Sequence, residues 1–347
     1  MSSFSIKLIN WHKENGRKDL PWQIEKTPYK VWISEIMLQQ TQVKTVIPYF
    51  EGFIKKFPNI SILSASNLDD VLALWSGLGY YSRARNLHKT ALILKNEFNS
   101  KLPSSLEELI KLPGIGRSTA GAIMSLGFDK KAPILDGNVK RVLARYRNIQ
   151  EDIVRTKTLN YLWDVSEELL PTKDFALYNQ SIMDLGSMVC KKTNPLCQLC
   201  PVSRRCLGKI NNTIQSIPKK SRKIKKISKK VFWLLPYTDS SYVYLKKRPS
   251  KGIWGGLWTF LEDQNLQTIL NNNDNLKMIE KSLIRHSSIK HSFTHYNLEA
   301  ELYLIKSKGP TNKEDWKKIN EFNKIGMPKP IQAVLKKIEE NGKISLL

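Results

Sequence analysis

The apolar residues of this chain change their spacing once, and that change restricts the fold more than any single motif. Up to residue 210 they recur at three- and four-residue intervals. Trp32, Ile36, Val43 and Ile47 form one stripe, Leu68, Val71, Leu72 and Trp75 a second, and Leu87, Thr90, Ala91 and Leu94 a third. From residue 231 the texture becomes short runs rich in aromatic and β-branched residues, at 231–235, 242–245 and 298–305, separated by Pro, Gly, Asp and Asn. Ile331, Val334, Leu335 and Ile338 then give an i, i+3, i+4, i+7 stripe between Pro330 and Gly342, so a final helix is expected on a sheet. The reading is an all-α region over 1–210 and an α+β domain over 231–347. Between them, 211–230 holds eight Lys and Arg and no Asp or Glu, which reads as a basic interdomain linker.

The whole chain carries 56 Lys and Arg against 31 Asp and Glu, a net charge of +25. Such a field attracts a polyanion and makes nucleic acid the leading partner class, without conferring selectivity. The chain has no apolar run long enough to span a bilayer, and its first residues lack the apolar centre of a signal peptide. A monomer in the cytoplasm, or in the nucleus of a eukaryote, with no membrane partner is expected. All four cysteines fall between Cys190 and Cys206, with six, two and five residues between successive members. In a reducing compartment this favours a metal or cluster site over two disulfides, and spacing alone leaves zinc and iron-sulfur both open.

Leu112-Pro113-Gly114-Ile115-Gly116 separates two helical patterns. Ser104 and Glu107 have capping-box spacing for the helix before it, and the helix after it should begin at Arg117 or Ser118. Two glycines allow a sharp turn, and backbone N–H groups at a helix start can hold a DNA phosphate without reading sequence. An ordinary helix-helix turn explains the five residues equally well. Twenty residues past Gly116, Asp136 precedes another helical run, where capping by itself would account for it.

Taken in order, the hairpin, the following helix, the Asp before a helix and the four cysteines resemble the helix-hairpin-helix DNA glycosylases. The segments Ser34-Glu35-Ile36-Met37-Leu38-Gln39-Gln40-Thr41-Gln42-Val43, Gly77-Leu78-Gly79-Tyr80-Tyr81 and Ile134-Leu135-Asp136-Gly137-Asn138-Val139 are similar to those of the MutY adenine DNA glycosylases. The resemblance runs the length of the chain and implies excision of adenine mispaired with 8-oxoguanine or guanine in duplex DNA. It implies Glu35 as the acid, Asp136 as stabiliser or transient nucleophile, and Ser118 and Asn138 as supporting residues. Gln40 and Tyr80 match residues that wedge into the duplex, and Leu112, Gly114 and Gly116 match the DNA-binding hairpin. Cys190, Cys197, Cys200 and Cys206 match the ligands of a 4Fe-4S cluster. Relatives that also cut the strand carry lysine where this chain has Ser118, so efficient lyase chemistry is not expected, and Lys140 is taken as incidental.

The chemistry calls for such a pair of carboxyl groups, because the base is a poor leaving group and the sugar becomes oxocarbenium-like. One group protonates the base and the other faces the cation. Glu35 sits among Ile33, Ile36, Met37 and Leu38, and desolvation there should raise its pKa above about 4.3. The target base must also leave the stack.

The second domain resembles a Nudix fold through Lys251-Gly252-Ile253-Trp254-Gly255-Gly256-Leu257-Trp258, but no Arg-Glu-x-x-Glu-Glu metal helix follows. It is therefore expected to recognise rather than hydrolyse. Phe293, Thr294 and His295 match a family loop, usually Phe-Ser-His, that meets the oxidised guanine. Two other readings remain open: an endonuclease III-like glycosylase and lyase for oxidised pyrimidines, and a non-catalytic iron-sulfur DNA-binding protein.

Overall fold

The structure is a computed structural model, and it describes residues 3–221, 226–293, 296–309 and 314–340. The chain forms two compact units, one of Met1–Ala65 with Asn86–Arg222 and one of Ser66–Arg85 with Lys223–Leu347. A mostly helical region followed by an α+β sheet domain is the architecture that the two apolar periods predict.

Among the described residues the helices before the sheet are α1 Ser3–Asn15, α2 Pro28–Leu38, α3 Val43–Lys56, α4 Ile60–Ala65, α5 Leu68–Leu74, α6 Ser82–Glu97, α7 Leu106–Lys111, α8 Arg117–Ala122, α9 Gly137–Tyr146, α10 Thr156–Glu168, α11 Phe175–Asp184 and α12 Leu207–Ile210. Local chemistry sets their starts. Thr27 accepts from Lys30 N at 3.2 Å, and Pro28 fills the first position of α2, where a missing N–H costs nothing. Ser105 rather than Ser104 caps α7, accepting from Glu108 N at 3.4 Å. The cap lies one residue later than the Ser104–Glu107 spacing predicts, and the Ser104 hydroxyl accepts from Lys130 Nζ at 2.9 Å instead. The stripe from Trp32 to Ile47 belongs to two helices. The chain breaks at 39–42, where Gln40 takes a left-handed φ of 59°, a conformation that stops a right-handed helix.

The helical unit packs around Trp32, Ile33, Met37, Phe53 and Leu143, all inaccessible to water. Charged groups are buried with them, Arg145 and Asp184. Asp184, at the end of α11, is fully enclosed and accepts from Arg17 N at 2.9 Å, Arg17 Nε at 3.0 Å, His12 Nε2 at 3.1 Å and Gln180 Nε2 at 3.1 Å. Burial works to raise its pKa, but the bonds from His12 and Arg17 outweigh it and hold the carboxyl below its ordinary value. Both α8 and α11 run on into a wider π-type turn, Ile123–Gly127 and Leu185–Val189, a form that recurs at functional sites.

The second unit contains β1 Ile227–Tyr237, β2 Tyr242–Tyr244, β3 Lys246–Lys247, β4 Trp258–Thr259, β5 Leu261–Asp263, β6 Ile284–Ser292, β7 Tyr296–Lys306 and β8 Trp316–Lys318, with α13 Leu266–Asn271 and α14 Lys329–Glu340. The main sheet runs β6-β7-β1-β2-β8, with β5 also on β1, and β3 pairs β4 separately. β1 and β7 are parallel in register from Ile227 opposite Tyr296 to Tyr237 opposite Lys306. The stripe Ile331, Val334, Leu335 and Ile338 on α14 is buried, as its spacing predicts.

Helix α5 and the loop after it pack in this second unit. Tyr81 Oη donates to Met327 O at 2.9 Å, and the Ser76 hydroxyl accepts from Met327 N at 3.1 Å. Periodicity marks the Leu68–Trp75 face as buried but cannot tell which core it faces. The basic segment is also less of a spacer than its composition suggests. Ile217 O accepts from Arg145 Nε at 2.9 Å, and β1 already begins at Ile227. Among the described residues no helix is long and apolar enough to cross a membrane.

Asp184→Asn is expected to cost about 3 kcal/mol, because it removes a fully buried carboxylate that takes bonds from Arg17, His12 and Gln180 and leaves the partly exposed Arg17 guanidinium without its charge partner. The native carboxylate is held below its unfolded pKa of about 3.9, so its contribution is present above that pH and fades as pH falls through the folded value. Urea denaturation at pH 7 and pH 3 checks this: the gap between parent and variant should shrink at the lower pH.

Candidate active site

Glu35 lies in the last turns of α2, whose neighbouring residues Ile33, Ser34, Ile36 and Met37 are buried. Asp136 is the residue before α9 and caps it, its Oδ1 accepting from Val139 N at 2.7 Å. Two elements far apart in sequence thus bring the two carboxyl groups to one cavity of about 120 Å³. Trp22, Val31, Leu126 and Met183 give it apolar walls, while Gln23, Asn138 and Gln180 give it polar ones. The π-type turns contribute Leu126 and Ser187.

Electrostatics separates the two acids. Burial, and secondarily the charge of Asp136, pushes the Glu35 carboxyl up to about 8, so it holds its proton at neutral pH. Burial also raises Asp136, but the backbone N–H groups of Val139 and Asn138, the Arg141 charge and the Asn138 amide all oppose the rise. Asn138 Nδ2 donates to Asp136 Oδ2 at 3.4 Å, and Arg141 Nη2 donates to Asn138 Oδ1 at 2.8 Å. The same guanidinium donates to Gly186 O at 2.5 Å and, through Nε, to Cys190 O at 2.7 Å. Gly186 has to be glycine here, since a Cβ would stand 2.7 Å from Asn138 Cβ.

The four cysteines line a second cavity with Val189, Leu196 and Ile214. Arg145 is 1% exposed and holds the loop, with Nη1 donating to Lys191 O at 2.6 Å and lying 3.4 Å from Cys190 Sγ. Burial pushes the Cys200 thiol up to about 12, and the other three sulfurs add to the rise. No three His, Cys, Asp or Glu among the described residues converge on a single metal ion, although the four thiols share one cavity.

The remaining expected residues are distributed as follows. The Ser118 hydroxyl accepts from Leu135 N at 3.0 Å, next to Asp136 but outside the lining of the cavity. Leu112 is buried, Gly114 takes φ 81° with its backbone against Asn86, and Gly116 caps α8 with open space where a side chain would go. Gln40 is exposed in the break between α2 and α3. Tyr80, in the second unit, has φ 49° and is 46% exposed. Phe293 packs on Trp254 and Tyr296, with ring centroids 5.0 and 4.7 Å away, and its N–H donates to Tyr296 O at 2.9 Å. Thr294 and His295 lie outside the described residues. Lys140 is half-buried, and its pKa is lowered by burial and by the charge of Lys220.

Sequence reasoning missed Arg141, Arg145 and Gly186, as well as Gln23 and Trp22 in the cavity wall. One available signal was Asp184-Leu185-Gly186, an acid and a glycine inside an apolar helical run.

The model of the HhH-GPD superfamily base excision DNA repair proteins matches residues 33–168, and that of the NUDIX domain matches 231–337. A thermostable thymine-DNA glycosylase of known structure is similar with a TM-score of 0.55 and 26% identity, over 60% of this chain and 95% of that one. The fold and cavity thus define a base excision DNA repair glycosylase. The adenine DNA glycosylase of Buchnera aphidicola subsp. Baizongia pistaciae is 44% identical over 348 residues, 97% of each chain. The Homo sapiens adenine DNA glycosylase is 40% identical over 215 residues, 59% of this chain and 39% of that protein. The chain belongs to the adenine DNA glycosylase family.

The raised Glu35 pKa carries a stability cost with a definite sign. The folded protein keeps a proton that the unfolded chain loses above about pH 4.3, so stability falls as pH rises from there to about 8. Glu35→Gln should therefore gain stability relative to the parent across that window and match it near pH 4. Chemical denaturation at pH 4, 6 and 8.5 checks this, and a pH-independent difference would show that the carboxyl is not desolvated.

Proposed function

We propose that this chain excises adenine from duplex DNA by hydrolysing its N-glycosidic bond, after the adenine has been flipped into the cavity that Glu35 and Asp136 share. The observation that carries the reading is that pairing: one desolvated carboxyl protonated at neutral pH beside another whose burial-driven rise is opposed by backbone N–H groups and Arg141. Glu35 donates its proton to the departing base, which turns a poor leaving group into a neutral one. Asp136 faces the developing positive charge on the sugar, where a fixed carboxylate in a water-poor cavity stabilises the transition state most. Trp22 supplies an apolar face for a purine. Gln23 Oε1, a buried acceptor with no partner among the described residues, suits an exocyclic amine.

The base opposite is 8-oxoguanine or guanine in this reading. The family resemblance assigns Phe293, Thr294 and His295 to reading that base, Gln40 and Tyr80 each to wedging into the duplex, and the 112–116 hairpin to holding the backbone. The absence of a lysine at 118 favours base release over strand cleavage and argues against an endonuclease III-like lyase.

The four cysteines fit a 4Fe-4S cluster. They share one cavity without converging as the cage of a single ion, and four soft sulfur donors around one cavity are the donor set that such a cluster takes. When bound, the cluster would fix the shape of the loop that carries Lys191, Lys192, Arg204 and Arg205, and hydrolysis needs nothing from it.

Two measurements test the reading. Glu35→Gln should lower single-turnover adenine release by at least about 10²-fold on an A:8-oxoguanine duplex while leaving duplex affinity near that of the parent. Asp136→Asn should also be severe although Asn still caps a helix, and near-parental rates in either variant would remove the role assigned to that residue. Metal analysis of the purified protein should give four irons per chain, and one zinc with no iron would end the cluster assignment.

A further inference from the structure

We propose that Arg83 positions Tyr80 for entry into the duplex, its guanidinium joining the exposed Tyr80 ring to the buried Trp75 ring and to the Gly79 carbonyl. The inference rests on the wedge role that the family resemblance gives Tyr80. Trp75 follows α5, Arg83 lies in the first turn of α6, and all of these residues belong to the second unit.

A side chain that enters a base stack acts best when it is ordered beforehand, because ordering it on contact costs part of the binding that it supplies. Tyr80 is 46% exposed, and its φ of 49° is costly for a bulky residue. Gly77 and Gly79 also take left-handed φ values, 96° and 78°, so the chain turns sharply just before the ring. Arg83 meets this turn in three ways. Its Nη2 donates to Gly79 O at 3.1 Å, and Trp75 Nε1 donates to the same oxygen at 3.1 Å, so both lone pairs of that carbonyl are used. Its backbone N–H donates to Tyr80 O at 2.9 Å. Its Cζ lies 5.5 Å from the Tyr80 ring centroid and 5.4 Å from that of Trp75, within reach of cation–π attraction to both. Trp75 is inaccessible to water and Arg83 is buried, so the contacts run from the core out to a ring in solvent. Burial lowers the guanidinium pKa to about 10, which leaves it charged at neutral pH. Burying a charge is costly, and guanidinium bears it best because its flat, weakly hydrated face can lie against rings while its edge donates. Anchoring the turn alone would require neither the charge nor the second ring.

Single-turnover adenine release from an A:8-oxoguanine duplex by the full-length protein tests the proposal, with Tyr80→Ala, Arg83→Met and the double variant. Each single change is expected to slow release about tenfold, and the double variant to be no slower than Tyr80→Ala, because Arg83 acts through that ring. An arginine that served only the fold would multiply the two losses. On a duplex whose pairs flanking the target are mismatched, so that the stack is already open, Arg83→Met should come within about twofold of the parent. Arg83→Lys takes its place if methionine prevents folding. The ammonium keeps the charge without the planar face, so the same pattern at smaller size is expected. The proposal is overturned if the folded variant matches the parent on the intact duplex, if the losses multiply in the double variant, or if opening the stack does not recover the rate. Parental release by Tyr80→Ala on the intact duplex would remove the wedge role itself and the proposal with it, an outcome distinct from those three.

Discussion

Two carboxyl groups in one small, poorly hydrated cavity cannot both be charged at modest cost, and the helical unit is arranged around the way that conflict is settled. Glu35 is left on α2 among buried apolar neighbours and keeps its proton. Asp136 is given backbone N–H groups, an amide and a nearby guanidinium, each of which favours its charged form. The division follows from where each residue sits on its helix. A residue in the last turn of α2 is offered no free N–H groups, whereas the residue before α9 is offered those that no carbonyl of that helix can satisfy.

That arrangement reaches well beyond the cavity. Asn138 holds Asp136 and is held by Arg141, which in turn bonds backbone carbonyls at Gly186 and Cys190. Arg145, one turn further along α9, ties down Lys191 and Lys192 of the cysteine loop. One helix therefore carries the cap at its start and both arginines on its length, so the shape of the cysteine loop and the setting of Asp136 are fixed by the same element. Asp184 performs a parallel service for α1 and α11, anchoring Arg17 and Gln180, and both of these residues also line the cavity.

Much of this was legible in the sequence where a residue's role depends on its immediate neighbours. The two apolar periods predicted the helical region and the sheet, the buried face of α14 followed from four residues, and the apolar surroundings of Glu35 predicted its raised pKa. What stayed hidden depends on pairs distant in sequence. Nothing near Arg141 announces a bond to Cys190 O, and nothing in the Leu68–Trp75 stripe says that it packs in the second unit. The stripe from Trp32 to Ile47 failed for a different reason. Periodicity carries across a four-residue interruption, and only the left-handed backbone at Gln40 reveals that α2 and α3 are separate. The capping residue of α7 lies one position later than the spacing predicts, and Lys130, distant in sequence, occupies the earlier serine.

Ser118 shows how a local bond bears on the choice between two chemistries. Its hydroxyl accepts from Leu135 N, the N–H immediately before Asp136, and so helps to place that carboxylate. A lysine at this position has three donors and no acceptor, so it would leave the Leu135 N–H without this partner. The segment leading into α9 would then need another acceptor to stay where it is. The hydroxyl thus helps to secure the backbone setting of Asp136 on which the proposed carboxylate mechanism relies, and the position lacks the amine that covalent chemistry with the sugar would need.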